Sequence, residues 1–226
     1  MKTTSLFARG LVAAAAVLAV GSASASIATW TNWTSIGTNS ATGTMGGIDV
    51  TVTRLGGGAI NTGSSQTVCG TNYWTGTAYT NGTLSNGPAA CEQVALNDAM
   101  TLRVTFSQSV ENLYMGLLSV GQPGVAITYD FSNAFTVDSE GAGFFGDDQT
   151  NGVVGAGTLG GGSLTMREFH GVLRFTSPVT SLTFSTNPNE NWHAFTFGHV
   201  PEPGSLALAG VALLAAAGLS RRRKAA

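Results

Sequence analysis

Between Lys2 and Lys224 the sequence contains no lysine, and charged residues of every kind make up only 10% of the chain. Residues 26–200 hold four arginines (Arg54, Arg103, Arg167 and Arg174) against eleven acids, a net charge of −7, although the whole chain sums to −2. Most of the basic charge therefore sits at the two ends. An acidic, lysine-free body has no electrostatic footprint for nucleic acid or for anionic lipid headgroups, and nucleic acid is excluded as a partner.

Catalytic signatures are equally sparse. The three histidines, His170, His193 and His199, form no HExxH or HxH pair that would begin a zinc site, and there is no GxSxG nucleophile elbow. GAGFFG at 141–146 matches GxGxxG, but the polar, glycine-rich DDQTNGVVGAG behind it cannot form the helix N-terminus that a pyrophosphate needs. It reads as a glycine-rich loop, and no resident cofactor is expected. Asp138, Glu140, Asp147 and Asp148 make the one dense acidic cluster. Asp147 and Asp148 are candidate Ca²⁺ ligands, but their spacing fits no EF-hand, and a solvated loop is the plainer reading.

Cysteine is scarce too. Cys69 and Cys91 are the two in the chain, with no CxxC and no nearby histidine to suggest a metal. They enclose GTNYWTGTAYTNGTLSNGPAA, small polar residues with little to hold them folded, so a disulfide stapling this loop is expected.

No segment between 26 and 200 keeps a helical apolar period over ten residues. What is there alternates. Ile48, Val50 and Val52 interleave with Asp49, Thr51 and Thr53; Leu102, Val104 and Phe106 with Arg103 and Thr105; Val125, Ile127, Tyr129 and Phe131 with Ala126, Thr128 and Asp130. This is the period of half-buried antiparallel strands. Turn signals punctuate them at Asn86-Gly87-Pro88, Gly121–Gly124, Asp147-Asp148 and Asn151-Gly152. VTFSQSVENLYM (104–115) also lines up with RFTSPVTSLTF (174–184), matching Val110 to Val179, as two similar corners would. The expected fold is all-β: one antiparallel β-sandwich, jelly-roll or Ig-like, over 26–199.

Trp30, Trp33, Tyr73, Trp74 and Tyr79 lie in polar stretches outside the strongest strands. Flat rings with polar neighbours stack on sugar rings, and Trp33, Tyr73 and Trp74 are the candidate glycan contacts. Packing beneath the disulfide loop is the competing expectation.

The ends are of another kind. Lys2 and Arg9, the apolar run Leu11–Val20 and GSASAS form a secretory signal peptide over 1–25, with the mature chain starting at Ser26. Residues 200–226 combine Pro201-Glu202-Pro203, an apolar run over 206–219 containing Leu206, Leu208, Val211, Leu213, Leu214 and Leu219, and the basic cluster Arg221, Arg222, Arg223 and Lys224. Counted from Pro203, the uncharged stretch spans about 25 Å as a helix, short against a hydrocarbon core of about 30 Å. The basic cluster holds its far end in the cytoplasm.

VPEPGS, a short apolar helix and an arginine cluster, in that order, resemble the PEP-CTERM sorting signal of Gram-negative bacteria. The resemblance implies export through the Sec translocon and processing by an exosortase that recognises Pro201, Glu202 and Pro203. It implies that 206–219 is a transient inner-membrane anchor and Arg221–Arg223 a stop signal. It also implies a place at the cell surface or in a biofilm matrix beside exopolysaccharide. A non-enzymatic, polysaccharide-associating body is the leading expectation. A secreted glycan hydrolase would need two acids facing one cleft. An ice- or surface-binding module would need arrays of the kind hinted at by Thr51-Val52-Thr53.

Overall fold

The computed structural model describes residues 25–146 and 150–201. The expected signal helix and transmembrane helix, Asp147 and Asp148, and the chain from Glu202 onward lie outside those residues.

Fifteen strands are present among the described residues: β1 (Thr29–Trp30), β2 (Asn32–Ile36), β3 (Ser40–Met45), β4 (Ile48–Gly57), β5 (Asn61–Gln66), β6 (Gln93–Leu96), β7 (Met100–Val110), β8 (Leu113–Val120), β9 (Ile127–Phe131), β10 (Phe135–Glu140), β11 (Thr150–Ala156), β12 (Gly162–Arg167), β13 (Phe169–Phe175), β14 (Val179–Asn187) and β15 (His193–His199). The only helical turn among them is Thr77–Tyr79. The strands form two antiparallel sheets. The larger runs β11–β12–β9–β14–β7–β4–β3–β2; the smaller runs β10–β13–β8–β15–β6–β5, with β1 also against β15.

Alternating burial decides how the larger sheet packs. In β4 the buried residues Ile48, Val50 and Val52 alternate with exposed or half-buried Asp49, Thr51 and Thr53, and β7 repeats the pattern. Their apolar sides meet the smaller sheet in a core that includes Trp33, Phe106, Phe131, Phe184, Phe195 and Phe197. The outer side is polar. Ser35, Thr42, Thr51, Thr105 and Ser181 stand in register across five adjacent strands, so Thr51-Val52-Thr53 is part of a wider hydroxyl row.

The smaller sheet departs from alternation. All eight residues of β8 and all four of β6 are buried. Its outer face is covered by the 69–91 loop and the N-terminal segment, which build a second core from Ala28, Trp30, Trp74, Tyr79, Leu84 and Tyr114, among others. Backbone bonds from Ser26 N–H to the Thr83 carbonyl (2.8 Å) and from Ser85 N–H to the Ser26 carbonyl (2.9 Å) tie the two covering segments together. Among the described residues, both cores are drawn from residues 28–197, with Val200 packed against the second.

The repeated corners are neighbours. The β7–β8 and β13–β14 corners both cross between sheets, in opposite senses, and Val110 pairs with Val179 as Tyr114 does with Arg174. Asn112 takes a positive φ of 48° at the first corner, and its Oδ1 accepts a 2.9 Å bond from Arg174 Nη2. One turn signal is corrected: Asn151-Gly152 lies inside β11, at a register shift between Thr150 and Val153. Its glycine is a bulge residue and not a chain reversal.

Candidate functional site: an aromatic groove

Three separate segments bring four aromatic rings together. The first is the disulfide loop, closed by the Cys69–Cys91 bond. Asn72 Oδ1 accepts the Trp74 backbone N–H at 3.0 Å, a local turn of the kind asparagine favours. Trp74 goes into the second core, edge-on to Tyr79 at 5.3 Å, and Tyr73 is left half-exposed.

The second segment is GAGFFG. Gly143 and Gly146 exchange both backbone hydrogen bonds, at 2.9 and 3.2 Å, so Phe144 and Phe145 form the tip of a two-residue turn. Two glycines seat this turn. A Cβ on Gly143 would lie 2.3 Å from the His170 ring, and one on Gly76, at φ +94°, would lie 2.1 Å from the Ala142 carbonyl oxygen. Larger residues cannot fit either approach.

The third is the 188–192 turn, which ends at Trp192. It is pinned by the Glu190 N–H to the Asn97 carbonyl (2.7 Å), Ala99 N–H to Asn189 Oδ1 (2.7 Å) and Asn191 Nδ2 to Gln122 Oε1 (3.0 Å).

Tyr73 stacks on Phe145 (5.7 Å, 14°) and meets Phe144 edge-on (4.9 Å) and Trp192 at a tilt (5.7 Å). Phe145 also meets Trp192 edge-on at 5.5 Å. Phe144 and Phe145 remain 46% and 48% exposed, which is unusual for rings already clustered. Facing them is the end of β5, with Ser64, Ser65 and Gln66, across a groove of about 350 Å³. Gln66 Oε1 has no hydrogen-bond partner among the described residues. One wall is aromatic and the other carries hydroxyls and an amide.

Among the described residues, Glu168 and Glu190 near the groove are already engaged. Glu168 Oε1 accepts from Ser119 Oγ at 2.6 Å and lies 3.3 Å from His170 Nε2. His170 Nδ1 meets the Ser119 N–H (3.3 Å) and the Tyr79 hydroxyl (3.2 Å), which places the ring proton on Nε2, toward Glu168. Burial alone would raise the Glu168 pKa, but its bonds to His170 and Ser119 outweigh it and hold the carboxyl below its ordinary value. Burial, reinforced by Glu168, pushes the Tyr79 hydroxyl well up. The Ser119 hydroxyl faces the Glu168 carboxylate and not the imidazole, so the arrangement is not that of a serine hydrogen-bonded to histidine. Glu190 likewise accepts from the Gly121 N–H and contacts His193 Nδ1, both at 2.9 Å. Asp138 and Glu140 do line one shallow depression beside Asn81, but Asp138 spends both oxygens on Thr83.

Tyr73 thus belongs to the groove, whereas Trp33 and Trp74 are corrected. Trp33 is fully buried and donates from Nε1 to Thr196 Oγ1 at 3.1 Å; Trp74 is 4% exposed. Both rings are needed to fill cores, because β2 packs inward at Trp33 and the loop has few other apolar residues to cover the smaller sheet. Trp30 and Tyr79 are buried for the same reason. The sequence reading missed Phe144, Phe145 and Trp192. Two adjacent phenylalanines between glycines were the available signal, since a turn tip has no interior in which to bury them.

The Val200 N–H still bonds to the Asn112 carbonyl at 3.3 Å, and Pro201 is exposed, so the chain leaves the body at the corner end. A protein exported and sorted through its C-terminal segment is what these ends describe. A family model for the PEP-CTERM protein-sorting motif matches residues 199–224. The chain carries that motif, the signal by which an exported protein is passed to an exosortase. No curated protein and no solved structure matches the chain.

Proposed function

We propose that the body is a non-catalytic module of an extracellular matrix and that it associates with exopolysaccharide through the aromatic groove. The observation that carries this is the pair of half-exposed rings, Phe144 and Phe145, held against Tyr73 and Trp192 opposite a hydroxyl-bearing strand end. Sugars have an apolar C–H face and a hydroxyl edge, and a cleft with one wall of each kind matches both. The order β6–β15–β8–β13 over β7–β14–β9–β12 supports a jelly roll over an Ig-like sandwich, an architecture compatible with such a role but not diagnostic of it. In this reading Pro201, Glu202 and Pro203 are the exosortase recognition motif, 206–219 is the transient membrane helix, and Arg221–Arg223 stop its transfer. The protein then resides at the cell surface or in the matrix.

The test is co-sedimentation with the host's own exopolysaccharide, with and without EDTA. Wild-type protein is expected to sediment with the polymer, and Phe145→Ala to weaken this about tenfold while leaving the thermal midpoint near wild type; Trp192→Ala, whose ring also packs against the second core, should weaken it as much with a lowered midpoint. Trp33→Ala is unsuitable as a probe, because it empties a core position. Binding equal in all three proteins would sink this reading. Sensitivity to EDTA would assign Ca²⁺ to the loop holding Asp147 and Asp148.

A further inference from the structure

The groove's chemistry goes further than polysaccharide in general. Its polar wall is Ser64, Ser65 and Gln66, its apolar wall Tyr73, Phe145 and Trp192, and among the described residues no ionisable group other than the Tyr73 phenol lines it. A glycan bearing uronate or sulfate groups would bring anions into contact with this lining. Each anion would lose hydration without gaining a cation, and charges that end up unpaired in a partly desolvated site are costly.

The surroundings add to this. Residues 26–200 carry a net charge of −7, and the four arginines of that segment are absent from the lining. Among the described residues Arg174 is the one arginine over an aromatic ring; it sits at Tyr114 and bonds to Asn112, whose carbonyl accepts from Val200 N–H. Like charge on the body slows the approach of an anionic polymer at low salt, over a screening length of about 8–10 Å.

Neutral sugars meet the opposite situation. Their C–H faces cover the rings, and their hydroxyls meet the Ser64 hydroxyl, which accepts from Asn61 Nδ2 at 3.2 Å and donates to no described residue; the Ser65 hydroxyl is spent on the Asn61 carbonyl and the Ala95 N–H. A volume of about 350 Å³ lies at the small end of ligand sites, which run from about 300 to 1,000 Å³. Resting on the glycan reading above, we propose that this groove selects uncharged polysaccharide and holds a short stretch of neutral pyranose units with their flat faces against Phe145 and Trp192.

The experiment is affinity electrophoresis of the full chain, exported and extracted in mild detergent, through gels containing neutral polymers (a β-glucan, a galactomannan) or anionic ones (alginate, polygalacturonate). It is run at low salt and at 0.5 M NaCl. Retardation by at least one neutral polymer, at least tenfold stronger than by either anionic polymer at both salts, is expected. Phe145→Ala, at a half-exposed tip, should remove the retardation without altering circular dichroism, and Phe145→Trp should keep it. Equal or stronger retardation by an anionic polymer, lost in Phe145→Ala, would overturn the selectivity and leave the groove as a glycan site. Retardation unchanged in Phe145→Ala and Trp192→Ala, or absent with every polymer, would overturn the groove itself as a glycan site.

Discussion

Single residues decide which aromatics are presented and which are consumed. Asn72 turns the chain so that Trp74 enters the core and Tyr73 stays half-exposed. Gly143 and Gly76 allow a backbone approach that sets Phe144 and Phe145 at a turn tip. Below them, Glu168 is held ionised by His170 and Ser119 against the effect of its own burial. A carboxyl whose folded-state pKa is depressed stabilises the fold above its unfolded value, near 4.3, and that contribution is lost as pH falls through the depressed value. Thermal midpoints between pH 7 and pH 3 should therefore fall for the wild type in the acid part of this range. Glu168→Gln should fall less steeply there. Identical slopes would show that the carboxylate contributes no pH-dependent stability.

At the scale of elements, the 69–91 loop does what a helix does in many α+β folds: it buries the outer face of a sheet. Its own composition is too polar to hold such a position unaided, and Trp74, Tyr79 and Leu84 are its main apolar anchors. The disulfide restricts this loop in the unfolded chain. Replacing Cys69 and Cys91 by serine should cost about 2–4 kcal/mol in the chain-entropy model. Urea unfolding would read the loss. Hydrogen exchange should locate it, with protection falling first in residues 73–88 and β8, whose outer face the loop covers, and last in β4 and β7. Uniform loss of protection would mean that loop and sandwich open together. Among the described residues the hydroxyl row on the larger sheet has no comparable cover, and its serines and threonines are compatible with water.

For the whole molecule, β15 fixes a polarity. Trp192 precedes it at one end and the tail follows His199 at the other, so seven residues at about 3.3 Å each separate groove and exit by roughly 20 Å. Groove and exit thus lie at opposite ends of β15. Replacing Pro201, Glu202 and Pro203 by alanine is expected to leave the protein membrane-bound and unprocessed, visible as a larger species in the membrane fraction. That species should still bind soluble polysaccharide as tightly as the processed form. Weaker binding by the tethered form would show that the groove is occluded at the membrane.

The sequence by itself determined the C-terminal sorting motif, the disulfide and the all-β class. Each is written in contiguous chemistry: basic and apolar runs in order, two cysteines alone, period-two alternation in β4 and β7. The match of the two corners was legible for the same reason, since both use one local pattern. Tertiary structure alone decided the site. Trp33, Tyr73 and Trp74 have the same kind of polar neighbours in sequence, and the position of the sheets, together with the turn at Asn72, divides two core rings from one groove ring. Phe145 and Trp192 lie 47 positions apart and Ser64 farther still, and what joins them is the fold of loops over the smaller sheet. Burial is a property of what covers a residue, and the cover here comes from elsewhere in the chain.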